Sequence, residues 1–131
     1  MPAAARAWQY GATALMVATV NGKAACVELL LAAGADKEAK TKRGLTALHV
    51  ACSGNKPKTA ALLIDAGAAI EATDGQGNTP LHVACERGVS DVIEVLLVRG
   101  ASKDVKTSDG ETARDIAKRC PPKQRRAVTA L

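Results

Sequence analysis

The chain has 131 residues with a hydrophobic share of 47%, yet it contains no Phe, one Trp and one Tyr. This length suits one domain with its own core, and small aliphatic residues disfavour an aromatic-centred sandwich. Of the 18 basic residues, five lie within 118–126, and the remaining 13 balance the 13 acidic residues. We therefore predict a neutral domain with a basic tail over 118–131, which argues against a dedicated nucleic-acid-binding domain.

One interval of 33 residues recurs along the whole sequence. Four independent columns keep it: Gly11, Gly44, Gly77 and Gly110; Thr13, Thr46, Thr79 and Thr112; Ala18, Ala51, Ala84 and Ala117; Gly34, Gly67 and Gly100. Chance does not place four columns in one register, so the chain is a repeat protein. We place the repeats at 8–40, 41–73, 74–106 and 107–131, the last of them partial, within a single domain over 1–131.

Each repeat is predicted to hold two helices. Threonine begins the first helix, because its hydroxyl caps exposed amides, and Pro80 suits a first turn. Gly22, Asn55 and Gly88 share the column that ends this helix, since all three residues tolerate a left-handed backbone. A second helix is predicted over 24–33, 58–66 and 91–99. Neither helix can bury its apolar face alone, so the repeats must stack into a solenoid.

The segment Thr79-Pro80-Leu81-His82-Val83-Ala84 resembles the core motif of the ankyrin repeat, whose period is also 33 residues. The second repeat carries Ala in place of the proline, and Met16 and Asp115 replace the histidine in the first and last repeats. The resemblance covers nearly the whole chain. It implies an all-α fold, an ankyrin-repeat solenoid of stacked helix-turn-helix pairs joined by β-hairpin-like turns.

The same resemblance implies a non-catalytic protein–protein interaction module or scaffold, which binds an unidentified partner protein through the concave face of turn tips and inner helices. Carried over by register, the candidate partner-binding residues are Trp8, Gln9, Tyr10, Asn21, Lys42, Arg43, Leu45, Ser53, Gln76, Asn78, Glu86, Arg87, Ser108, Asp109, Glu111 and Arg119. Trp8, Tyr10, Lys42 and Arg43 stand out, because Trp, Tyr and Arg often anchor interfaces. A second interpretation of Trp8 stays open, in which its ring folds back over the first repeat.

Histidines and cysteines raise the question of catalysis or metal binding. His49 and His82 lie one repeat apart, about 10 Å in a stack of helices, which is too far to share a metal ion. The resemblance implies that each bridges its turn threonine to the backbone of the neighbouring repeat. Cys52 and Cys85 are expected in the core, and the chain has no CxxC pair. We predict no enzyme activity, no metal and no cofactor.

The cysteine pattern and the lack of an N-linked glycosylation acceptor predict an intracellular protein, cytoplasmic or nuclear. No stretch approaches the roughly 20 apolar residues that span a bilayer. Polar ends predict a monomer. Two alternatives stay open: the chain is a targeting or regulatory fragment of a larger protein such as an enzyme, or its basic tail binds an acidic surface or nucleic acid.

Overall fold

The protein is seen in a computed structural model that describes residues 13–118, and these residues form seven helices and no strand. Helices α1 to α7 span, in chain order, Ala14–Val20, Ala24–Ala32, Ala47–Ser53, Pro57–Asp65, Pro80–Arg87, Ser90–Val98 and Ala113–Lys118. An inner layer stacks α1, α3, α5 and α7 in succession, and an outer layer stacks α2, α4 and α6. The predicted all-α solenoid is confirmed.

Each inner helix begins at a threonine that caps its first turn. The Thr46 hydroxyl accepts a hydrogen bond from the His49 N–H at 3.4 Å, and His49 Nδ1 accepts from the Thr46 N–H at 3.2 Å. This reciprocal pair is a capping box, and the equivalent pair of α5 repeats it. At α7 the Asp115 carboxylate takes the histidine's place and accepts from the Thr112 N–H at 3.0 Å.

The ends of the helices follow the predicted columns. Gly22, Asn55 and Gly88 all have positive φ, at 67°, 54° and 68°, as expected for residues that end a helix in the left-handed region. The predicted bounds of the second helices are wrong by one residue. All three end a residue earlier, because the residue before each glycine already serves as the C-cap, and the second and third also start a residue earlier.

Asn55 is the only non-glycine residue with positive φ in the described part of the chain. We expect Asn55→Gly to raise the free energy of unfolding by about 0.5–1 kcal/mol, because glycine adopts this conformation without steric cost. Asn21→Gly is the matched control, since Asn21 has φ −82° and gains no relief of strain. Urea titrations followed by circular dichroism compare the two; an equal gain in both variants would contradict the assignment.

The core lies between the two layers and consists of small and aliphatic side chains. Cys52 and Cys85 are fully buried, in one column with Thr19 of the first repeat. The Thr19 hydroxyl donates a hydrogen bond to the Leu15 carbonyl at 2.7 Å, so its burial leaves no polar atom unsatisfied. Burial raises the pKa of the Cys52 thiol well above its ordinary value, which makes it an inert packing group. The predicted core position of both cysteines is confirmed.

Successive repeats are also joined outside the core. At the turn tips, the Gly75 N–H donates to the Arg43 carbonyl at 2.8 Å, and one repeat later the Ser108 N–H donates to the Gln76 carbonyl at 3.1 Å. The second, third and fourth tips are therefore joined in succession by backbone hydrogen bonds, and they form a continuous edge along the described part of the stack.

Beyond the outer helices, a second set of links uses carboxylates. Glu38 accepts from the Ala69 N–H and Glu71 from the Ser102 N–H, both at 3.0 Å. These pairs recur at the 33-residue interval, and they were not predicted from the sequence. They join adjacent repeats in the segments that lead from the outer helices to the turn tips.

Candidate functional site

Two adjoining clefts open between the turn tips and the inner helices, with volumes of about 380 Å³ and about 680 Å³. The first is lined by Val20, Leu45, His49, Val50, Ser53, Gly54, Lys56 and Val83. The second is lined by Arg43, Leu45, Ser53, Asp74, Gly75, Gln76, Asn78, Val83, Glu86 and Arg87. Because they share Leu45, Ser53 and Val83, they form one continuous surface, which we call the groove.

The floor of the groove is aliphatic. Val50 on α3 and Val83 on α5 lie one repeat apart and are half-buried, and Val17 continues this row on α1. Val20, at the end of α1, is 58% exposed. On α7 the row ends in Ile116, which is buried. The row was not predicted as a site, although the 33-residue spacing of its valines could have identified it.

The tip-side wall of the groove carries two cations. Lys42 and Arg43 are exposed, and with Thr41 and the half-buried Leu45 they line a further depression at the second turn tip. The one ion pair among residues 13–118 joins Arg99 to Asp65 on the outer layer. Lys42 and Arg43 therefore have no acidic partner in the described part of the chain, and their charges face solvent.

Opposite the tips, Lys56 lines the first cleft, and it was not predicted as a site residue either. It is half-buried and comes just before α4. Lys56 follows the end of α3, whereas the second turn tip precedes the start of that helix. Lys56 therefore places a third cation at the groove, on the side away from the turn tips. The cationic character of this end of the groove thus comes from both walls.

Most of the predicted partner-binding residues of the middle repeats meet in the second cleft. Those that line it are Arg43, Leu45, Ser53, Gln76, Asn78, Glu86 and Arg87. Lys42 lies beside the second cleft. The predicted residues Asn21, Ser108, Asp109 and Glu111 are not among those that line this cleft. Trp8, Gln9, Tyr10 and Arg119 lie outside the described residues, as does the basic tail beyond Lys118.

Asp74 and Asn78 shape the third turn tip. The Asp74 carboxylate accepts from the backbone amides of Gln76 and Asn78 at 2.8 and 2.9 Å, and from the Asn78 side chain at 3.3 Å. Partial burial alone would raise the pKa of Asp74, but these hydrogen bonds together lower it below its ordinary value. The carboxylate is thus committed to the turn, which leaves Glu86 as the exposed acid among the lining residues.

His49 lies beneath the first cleft and is fully buried. Its Nε2 donates to the Asn78 carbonyl at 2.8 Å while Nδ1 accepts from Thr46, which is the pattern of a neutral ring. Burial lowers the pKa of His49 below its ordinary value, although the Asn78 hydrogen bond acts in the opposite direction. The predicted bridge from a turn threonine to the backbone of the next repeat is confirmed for His49.

His82 makes the corresponding pair of contacts with a different end point. Its Nδ1 accepts from the Thr79 N–H at 3.0 Å, and its Nε2 lies 2.8 Å from the Val105 carbonyl. Val105 precedes the last repeat as we placed it, so this bridge reaches the segment that joins α6 to the last turn. The prediction is therefore right about the structural role of His82 and wrong about the repeat it reaches.

Comparison with known families identifies the architecture. Residues 15–109 match the family model of ankyrin repeats in three copies, and no curated protein matches the chain. Ankyrin repeats generally mediate protein–protein interaction. None of the helices described for residues 13–118 is both long and apolar enough to cross a membrane. Since the match covers most of the sequence and agrees with the stacked helix pairs, the chain belongs to the ankyrin repeat family.

Proposed function

We propose that the chain is a non-catalytic protein-binding module that holds a segment of a partner protein in the groove. The observation that supports this most is the aliphatic floor, where Val20, Val50 and Val83 remain accessible beside the turn tips. Accessible apolar side chains in a concave surface favour a ligand that can cover them. The charged walls would then orient the ligand, as polar rims do at protein interfaces.

The repeat boundaries and the association state belong to the same proposal. We propose repeats at 8–40, 41–73, 74–106 and 107–131 and a monomer in the cytoplasm or nucleus. Thiols support this location: Cys26 is exposed and Cys52 is buried without a disulfide. Sedimentation equilibrium is expected to return the mass of a single chain at all concentrations, and a dimer at every concentration would contradict the monomer.

Affinity capture from cell lysate followed by mass spectrometry tests the groove. We expect the proteins captured by the native chain to be lost, by about tenfold or more, with Val20→Glu and Val50→Glu, because a charge in the floor opposes burial of an apolar ligand. Val20 is 58% exposed, so its substitution leaves the core intact.

Leu29→Glu is the matched control, since Leu29 is 71% exposed on the outer layer. It should retain the captured proteins. Circular dichroism first establishes that all three variants are folded. If the proteins were lost with Leu29→Glu but retained with both groove variants, the binding surface would lie on the outer layer and the proposal would be wrong.

A further inference from the structure

We propose, resting on the proposed function, that the segment held in the groove carries a carboxylate next to aliphatic side chains. The two requirements come from two different parts of the same surface. Aliphatic selectivity comes from the floor, and acidic selectivity comes from cations on both walls that lack partners among residues 13–118.

The floor favours aliphatic side chains because the side chains accessible on it are themselves mostly aliphatic. In the first cleft the accessible side chains of Val20, Leu45, Val50 and Val83 lie together, and Ser53 is the neighbouring hydroxyl. These four side chains offer no hydrogen bond, so a charged or amide group placed directly on them would lose its water without compensation. An aliphatic side chain in that place loses only unfavourable hydration.

The walls select an acid. Among residues 13–118, Lys56 lines the first cleft and no acidic residue does, while Lys42 and Arg43 stand exposed at the neighbouring tip. The second cleft is lined by Arg43, Arg87 and Glu86, and the Asp74 carboxylate is already hydrogen-bonded within its turn. A carboxylate entering the groove therefore meets an excess of unpaired cations, and arginine binds carboxylates through two parallel hydrogen bonds.

A nucleic acid would also be attracted by these cations, but the floor does not suit it. Residues 13–118 contain no Phe, Tyr or Trp on which a base could stack. The floor presents branched aliphatic side chains instead. Among anionic partners, an acidic and aliphatic segment of a protein thus satisfies both the walls and the floor.

Selection from a random dodecapeptide phage library on the full chain tests the proposal. We expect the enriched peptides to pair Asp or Glu with Leu, Ile or Val. Fluorescence polarisation with an enriched peptide then compares the native chain with the double variant Lys42→Glu/Arg43→Glu, which should weaken binding by about tenfold or more. The double variant Lys58→Glu/Lys103→Glu changes the net charge equally on residues outside the groove and should alter the dissociation constant by less than about threefold.

Three outcomes would overturn the inference, and they separate it from the proposed function. In the first outcome, binding of the enriched peptides depends on Val20 and Val50, but the peptides show no acidic bias or bind Lys42→Glu/Arg43→Glu as well as the native chain. The groove is then still the binding site, and the acidic ligand is refuted. A labelled single-stranded oligonucleotide that binds more tightly than the peptides does the same in favour of nucleic acid. Peptides insensitive to Val20→Glu and Val50→Glu, or no enrichment over an empty support, refute the binding function of the groove itself.

Discussion

Gly77→Ala is expected to lower the free energy of unfolding by about 2–4 kcal/mol, a large fraction of the stability of a small domain. Gly77 has φ 77°, which costs an L-residue about 1–2 kcal/mol. An added Cβ would also lie 2.8 Å from the backbone nitrogen of Ser108 in the next turn tip. The tips must then separate, which weakens the hydrogen bond from Ser108 to the Gln76 carbonyl, worth about 1 kcal/mol.

Gly110→Ala is the matched control for this prediction. Gly110 occupies the same column with φ 79°, but no described atom lies within 4 Å of the position of its Cβ. It should lose only the conformational part, about 1–2 kcal/mol. Urea titrations followed by circular dichroism measure both variants. Equal losses would show that the close approach of the two tips contributes nothing.

His49→Ala is expected to lower the free energy of unfolding at pH 7.5 by about 2–4 kcal/mol, from lost packing and from polar groups left without partners. The ring is fully buried and joins the Thr46 amide to the Asn78 carbonyl across two repeats. Asp115→Ala is the control. Asp115 occupies the same column but is exposed and only caps its own helix, so its loss should be clearly smaller. A comparable loss in both would reduce the role of His49 to capping.

The same residue predicts how stability depends on pH. Burial lowers the pKa of His49 in the folded chain below 6.5, its ordinary value, which we take for the unfolded chain. As the pH falls through 6.5 the unfolded chain binds the proton first. The stabilisation is therefore fully present above about pH 6.5 and is lost as the pH falls towards the folded-state pKa.

We expect the native chain to be less stable at pH 5.5 than at pH 7.5, and the difference to shrink in His49→Gln. Urea titrations at the two pH values measure this directly. The lowered pKa of the Asp74 carboxyl does not interfere, because its contribution is lost only as the pH falls below about 4. An identical pH dependence in the native chain and the variant would contradict the assignment to His49.

The sequence alone identified the architecture of this protein, through the 33-residue interval together with the resemblance of segment 79–84 to the ankyrin motif. The threonine caps and the left-handed backbone conformation at Gly22, Asn55 and Gly88 were also predictable from the sequence, because each depends on the backbone of a few adjacent residues. The buried position of Cys52 also followed, since a small residue that recurs on one helix face must lie where helices meet.

Features that depend on the distance between repeats became visible only in the tertiary structure. The contact of Gly77 with the next tip and the carboxylate links of Glu38 arise between residues about 31 positions apart. The groove shows the same limit. The sequence placed Lys42, Arg43 and Leu45 on a tip. It did not predict that Val50 and Val83 are accessible or that Lys56 lines the groove. Whether a residue in a repeating column is buried or accessible depends on how closely the neighbouring repeat packs against it. A periodic sequence reveals the column but not this packing distance.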